Sequence, residues 1–155
     1  MNHISIELAS PEAFLDQEKN SKQIKQNSKL FRILTNLRTS LQTEFNKYMD
    51  CRELHTDLSL NLPNKYTREQ LNIAISRRAK LVHNTTVDLS DEKAWGFMGV
   101  GERAFVLYLP TLEAKTEYEC TPHITIAYFR IHGKNCLPLS YQTRILKHCA
   151  HLITL

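Results

Sequence analysis

Apolar residues recur along the chain with two periods, and each change of period marks an element. Residues 3–8 (HISIEL) alternate, which predicts a short strand. Ser10-Pro11-Glu12 then has serine at an N-cap, proline at the first helical position and an acid in the first turn, the signature of a helix start. Residues 16–27 carry few apolar side chains and read as a solvated helix end or a loop. From Ser28 the pattern sharpens. Leu30, Leu34, Leu37, Leu41, Phe45 and Tyr48 recur at three- and four-residue steps, the stripe of a long core-covering helix that ends near Met49.

Residues 54–60 alternate again, with Thr56, Leu58 and Leu60 to one face and His55, Asp57 and Ser59 to the other. Pro63-Asn64 ends that strand, and Thr67 with Gln70 forms a capping box for the next helix. Its buried stripe is Leu71, Ile75, Ala79 and Val82. Arg77, Arg78 and Lys80 lie near its C-terminal end, where cations suit the dipole and no phosphate site is needed to explain them. Residues 85–89 form a possible strand, and residues 94–98 and 103–109 a hairpin around Gly99-Val100-Gly101. Residues 111–119 are a charged loop or helical turn. The next strand opens at Pro122, a residue suited to a strand's entry. Alternation assigns Ile124, Ile126 and Tyr128 to one of its faces and His123, Thr125 and Ala127 to the other. Gly133-Lys134-Asn135 reads as a turn, and residues 139–152 as a last helix with Tyr141, Ile145, Cys149 and Leu152 inward.

No repeat, low-complexity tract or linker divides residues 1–155. A strand and long helix (1–50) lead into the remaining core (51–155). Helices and strands mix without regular βαβ alternation, so the expected class is α+β in one domain with mostly antiparallel sheet. The net charge of +4 mildly favours anionic partners and is too small for a nucleic-acid-binding tail. Four cysteines without C-x-x-C spacing indicate a reducing compartment rather than a disulfide framework. The first ten residues lack the order of a signal peptide, and no apolar run reaches the roughly 18 residues of a membrane span. A cytoplasmic protein is expected.

Two strands carry polar residues where a core would prefer none. Each begins with a histidine: His55, Asp57 and Ser59 on one, His123 and Thr125 on the other. The histidines are 68 residues apart with a helix and a hairpin between them. That spacing suits two pseudo-symmetric half-units, each with flanking helices and each giving one strand to a central cleft. In this the chain resembles the two-histidine (2H) phosphoesterase family, marked by a repeated His-x-Thr/Ser-apolar motif. Pro122-His123-Ile124-Thr125-Ile126 fits the motif fully. His55-Thr56-Asp57-Leu58 departs from it, with aspartate in the hydroxyl position. The resemblance spans about residues 55–155, and both a cyclic phosphodiesterase-like member and a compact phage anti-defence (anti-CBASS type) member fit it. A second H-x-T, His83-Asn84-Thr85, is only 40 residues from His123, too close for the intervening half-unit.

The resemblance implies a metal-independent, cofactor-free phosphodiesterase with His55 and His123 catalytic. One would take a proton from the attacking water or hydroxyl and the other give one to the departing oxygen, suited by imidazole's pKa near 6.5. Thr125 would bind a non-bridging phosphate oxygen. The implied substrates are 2′,3′-cyclic phosphates, 2′–5′ oligoadenylates and cyclic oligonucleotide signals. No membrane partner or stable DNA complex is expected. Asp57, also assigned to the substrate site, would repel a phosphate by about 1–4 kcal/mol at 4 Å, or else hold His55 as imidazolium and make it the acid. Thr56 or Ser59, after a local twist or bulge, could then supply the missing hydroxyl. The alternative is a non-catalytic nucleotide- or RNA-binding protein with a degenerate first half-site. Tyr108, Tyr128, Phe129 and Trp95 are candidates to stack a base, each equally suited to a core. His132, His148 and His151 share no ligand geometry with carboxylates, so no metal site is expected.

Overall fold

The computed structural model describes residues 2–9, 24–50, 54–57, 67–110, 122–130 and 136–154. The leucine stripe forms α1 (Lys29–Phe45), with Leu30, Leu34, Leu37, Leu41 and Phe45 all buried. Ser28 caps it, its hydroxyl accepting from the Phe31 amide at 3.2 Å. A single 3₁₀ turn, Asn46–Tyr48, tightens the end of the helix and delivers the chain into β2 (Met49–Asp50).

The first strand is shorter than the alternation suggests. β1 (His3–Ser5) pairs antiparallel with β4 (Thr86–Asp88), while Ile6 and Leu8 stay buried beyond its end. The helix start at Ser10, most of the polar stretch at 16–27, the charged loop at 111–119 and the turn at 133–135 lie outside the described residues. α2 (Arg68–Val82) begins at the expected capping box: the Gln70 amide donates to Thr67 Oγ1 at 3.1 Å and the Thr67 amide to Gln70 Oε1 at 2.8 Å. Ala79 and Val82 are buried and Ile75 is packed against the core. α3 (Leu139–Thr154) buries Ile145 and Cys149, but Leu152, expected inward, is 38% exposed at the helix's last turn.

The larger sheet is antiparallel and built around β7 (His123–Phe129). On one side β7 pairs with β6 (Ala104–Tyr108), which pairs in turn with β5 (Trp95–Met98). The β5–β6 turn uses Gly99 and Gly101 at φ of +83° and +75°, where a side chain would be strained. On its other side β7 pairs with β2 and with β3 (His55–Asp57), two pieces of one edge. The fold is α+β with antiparallel sheets, as expected. One arrangement differs from the half-unit picture: the two histidine strands are hydrogen-bonded neighbours in the same sheet.

Alternation divides this sheet into two faces until β7 breaks it. Val106 pairs with Thr125 and Phe105 with Ala127, so Ile126 is an extra residue, a β-bulge. Ile126 and Ala127 both turn into the core as a result, followed by Phe129. Tyr128 therefore leaves the core face and Ala127 joins it, the reverse of strict alternation. The core face holds Phe105, Leu107, Ile124, Ile126, Ala127 and Phe129, with α1 packed on β7. The opposite face carries the polar residues.

Candidate functional site

The register of β3 on β7 assembles the four residues singled out by sequence. His55 pairs with Thr125, Thr56 with Ile124 and Asp57 with His123. Residues directly opposite on neighbouring strands share a face with Cβ atoms about 4.5–5.5 Å apart, and diagonal neighbours lie about 7–8 Å apart. His55 and Thr125 are thus an opposed pair, and His55 and His123 a diagonal one. His123 and Thr125 share the face through their spacing of two along β7. His55 is exposed, Thr125 half-buried and His123 only 8% exposed. The strand geometry that puts Ile124 and Ile126 in the core is what turns His123 and Thr125 away from it.

One expectation about the first motif changes. Thr56 is 1% exposed and opposite Ile124, so its hydroxyl points into the core and cannot serve the histidine face. Its Oγ1 has no hydrogen-bond partner among the described residues. Asp57 stands across from His123, at a backbone separation of about 4.5–5.5 Å. It is about 6.6 Å along its own strand from His55. By register the Asp57 backbone is nearer that of His123. Ser59 lies outside the described residues.

β6 supplies the other flank. Tyr108 pairs with His123 and Val106 with Thr125. The Tyr108 ring lies across Gly96, which pairs with Val106: a Cβ added at Gly96 would sit 2.5 Å from Tyr108 Oη. Only glycine leaves that room. Beyond the bulge, Tyr128 pairs with Ala104 on one side and Asp50 on the other. The Arg103 guanidinium lies over the Tyr128 ring at 5.5 Å, a cation–π contact. Asp50 is held by Arg130 Nε at 2.6 Å. Sequence reasoning missed Arg103, Asp50 and Arg130, none of which has a motif. Of the four aromatic candidates, Tyr108 and Tyr128 belong to this face. Phe129 is fully buried, edge-on to Phe45, and Trp95 stacks on Phe105 at 5.5 Å while donating from Nε1 to the Leu89 carbonyl.

The remaining histidines have structural surroundings. The Nδ1 of His83 accepts the Leu8 amide proton at 3.0 Å, which ties α2's end to the chain beyond β1. The His148 ring is within 2.9 Å of Ser40 Oγ and edge-on to Phe45. His151 is exposed on α3, and His132 lies outside the described residues. Arg77 and Lys80 are exposed on α2, whereas Arg78 is buried. Among the described residues no three His, Cys, Asp or Glu gather closely enough to hold a metal ion. No helix among them is long and apolar enough to cross a membrane. Comparison of the chain with family models, curated proteins and solved structures finds no match.

Proposed function

We propose that this protein is a metal-independent phosphodiesterase that hydrolyses a small nucleotide phosphodiester in the cytoplasm by two-histidine acid–base catalysis. Candidate substrates are a 2′,3′-cyclic phosphate, a 2′–5′ oligoadenylate and a cyclic oligonucleotide signal. The observation that carries this reading is the register His55↔Thr125 and Asp57↔His123, which gathers two imidazoles and a hydroxyl on one sheet face. A phosphate above Thr125 would have His55 directly across from it on β3 and His123 two residues along β7. His55, the exposed one, takes the proton of the attacking water. The oxygen bonds to phosphorus, the bond to the ribose oxygen breaks, and His123 protonates that leaving oxygen. Of the two histidines His55 is the exposed one and His123 the buried one, and the acid role is given to His123.

The magnitudes are those of ordinary side-chain catalysis. Each proton transfer contributes roughly 10²–10⁴ in rate. A hydroxyl on the developing charge contributes on the order of 10²–10³ by analogy with oxyanion-hole donors. The test is a panel of 2′,3′-cyclic mononucleotides, 2′–5′ oligoadenylate and cyclic di- and trinucleotides with product analysis. Turnover should show a bell-shaped pH profile, survive EDTA, and disappear in His55→Ala and His123→Ala while ligand binding persists. Abolition by EDTA would sink the two-histidine mechanism. The departure at Asp57 supports one alternative, a nucleotide- or RNA-binding protein without catalysis. Binding with no turnover of any substrate in the panel would select it.

A further inference from the structure

The polar face is longer than a mononucleotide phosphate requires, and its aromatic residues are not clustered at one end. Along β7 the order is His123 with Tyr108 opposite, then Thr125, then the bulge, then Tyr128 with Arg103 over its ring. Thr125, the hydroxyl assigned to the phosphate, lies between the two tyrosines. Tyr128 is three residues from it, less than about 10 Å along a bulged strand at 3.3 Å per residue. The bulge is what brings Tyr128 here: without Ile126 as an extra residue, alternation would have buried it and left Ala127 on the face.

The surroundings of Tyr128 suit a nucleotide rather than a core. Its ring is half-buried and outside the apolar cluster, and one side carries the Arg103 guanidinium at 5.5 Å. Arg103 is itself steadied by its Nε bond to the Val100 carbonyl at 3.2 Å. Bases stack on tyrosine rings and on guanidinium planes, and a guanidinium also binds phosphate. The acid in this region, Asp50, is paired with Arg130 at 2.6 Å, which offsets its repulsion of a phosphate. At the other end Tyr108, whose backbone pairs with His123, has its ring laid over Gly96 on β5.

We infer that the site takes a phosphodiester with a nucleoside on each side of the scissile phosphate, one at Tyr108 and one at the Tyr128–Arg103 pair. This rests on the phosphodiesterase reading above and narrows it. The substrate is an internucleotide linkage, linear or cyclic, rather than a terminal 2′,3′-cyclic phosphate.

Binding separates this inference from the catalytic one. Calorimetric titration compares a triadenylate with methylene-bridged phosphonate linkages, whose P–C bond replaces the bond to the leaving ribose oxygen and so resists cleavage, with adenosine 2′,3′-cyclic phosphate. The wild-type protein should prefer the triadenylate. In Tyr128→Ala the ratio of the two affinities should fall roughly 5- to 150-fold, the range for loss of one stacked base. Arg103→Gln should lower the same ratio, and Tyr128→Phe should retain it. If Tyr128→Ala loses its melting transition, Arg103→Gln and Tyr128→Phe decide. Equal wild-type affinity for both probes, no triadenylate binding, or variants that weaken both probes alike would each overturn the inference. A Tyr128-dependent preference without hydrolysis of natural triadenylate would uphold it and refute the catalytic reading instead.

Discussion

Gly96→Ala perturbs the site from its β5 side without touching a proposed catalytic group. The new methyl would lie 2.5 Å from Tyr108 Cε2 and Oη and 2.8 Å from Cζ. Carbon contacts are most favourable at about 3.5–4.0 Å, so the ring must retreat by about 1 Å. Overpacking typically costs about 1–3 kcal/mol. Here the obstructing atoms are the free end of a half-buried side chain, which can swing, so the cost should fall near 1 kcal/mol. For a chain of this size that lowers Tm by about 2–4 °C. Gly96 is not at a positive φ, so the backbone itself adds no strain. In a Tyr108→Ala background the obstruction is gone. There the same substitution should stabilise by about 0.4–1 kcal/mol, because alanine restricts the unfolded chain. The sign of the effect thus reverses between the two backgrounds. A double-mutant cycle from urea melts measures this directly, and coupling below about 0.5 kcal/mol would refute the packing of Tyr108 on Gly96. Since Tyr108 stands opposite His123, Gly96→Ala should also reduce kcat/KM for any substrate stacked there.

Three further outcomes are expected. His83→Ala removes the acceptor for the Leu8 amide and should cost about 0.5–1.5 kcal/mol in a urea melt. Turnover should stay within about twofold, and a loss like that of His55→Ala would make His83-Asn84-Thr85 the first motif in place of His55-Thr56-Asp57. Ser90 holds the Asp88 carboxyl below its usual 3.8, through its hydroxyl at 2.6 Å and its amide at 3.0 Å. A depressed carboxyl stabilises the fold above its unfolded value and loses that contribution as pH falls through the lower folded value. Acid-limb melts should therefore lose less stability in Ser90→Ala than in wild type, and identical limbs would contradict the assignment. Burial pushes the Cys149 thiol up to about 12, while Cys136 is exposed. Since the thiolate is the nucleophile, iodoacetamide near pH 8 should alkylate Cys136 and spare Cys149 until unfolding, as read by peptide mass. Equal rates would show that α3 does not seal Cys149.

What sequence patterning could and could not supply follows from the length scale of each signal. The stripe of α1 and the capping box of α2 are local, set by residues three or four apart, and both elements form where the sequence places them. His123 and Thr125 are legible for the same reason, because a spacing of two on a strand fixes their common face. Their relation to His55 is not local. It depends on which residue of β3 meets which of β7, and a one-residue slip would turn either strand's polar set into the core. Tyr128 shows how strict alternation fails within a single strand. The large apolar residues Ile124, Ile126 and Phe129 are spaced by two and then by three, and small Ala127 stands in the gap. A step of three on a strand whose core face is otherwise continuous requires one extra residue, so the bulge was written in that spacing. Reading it requires asking whether Tyr128 or Phe129 is the better core residue. The phenol, with a hydroxyl to satisfy, goes to the face that already holds histidine and threonine, and the phenyl ring closes the core against Phe45.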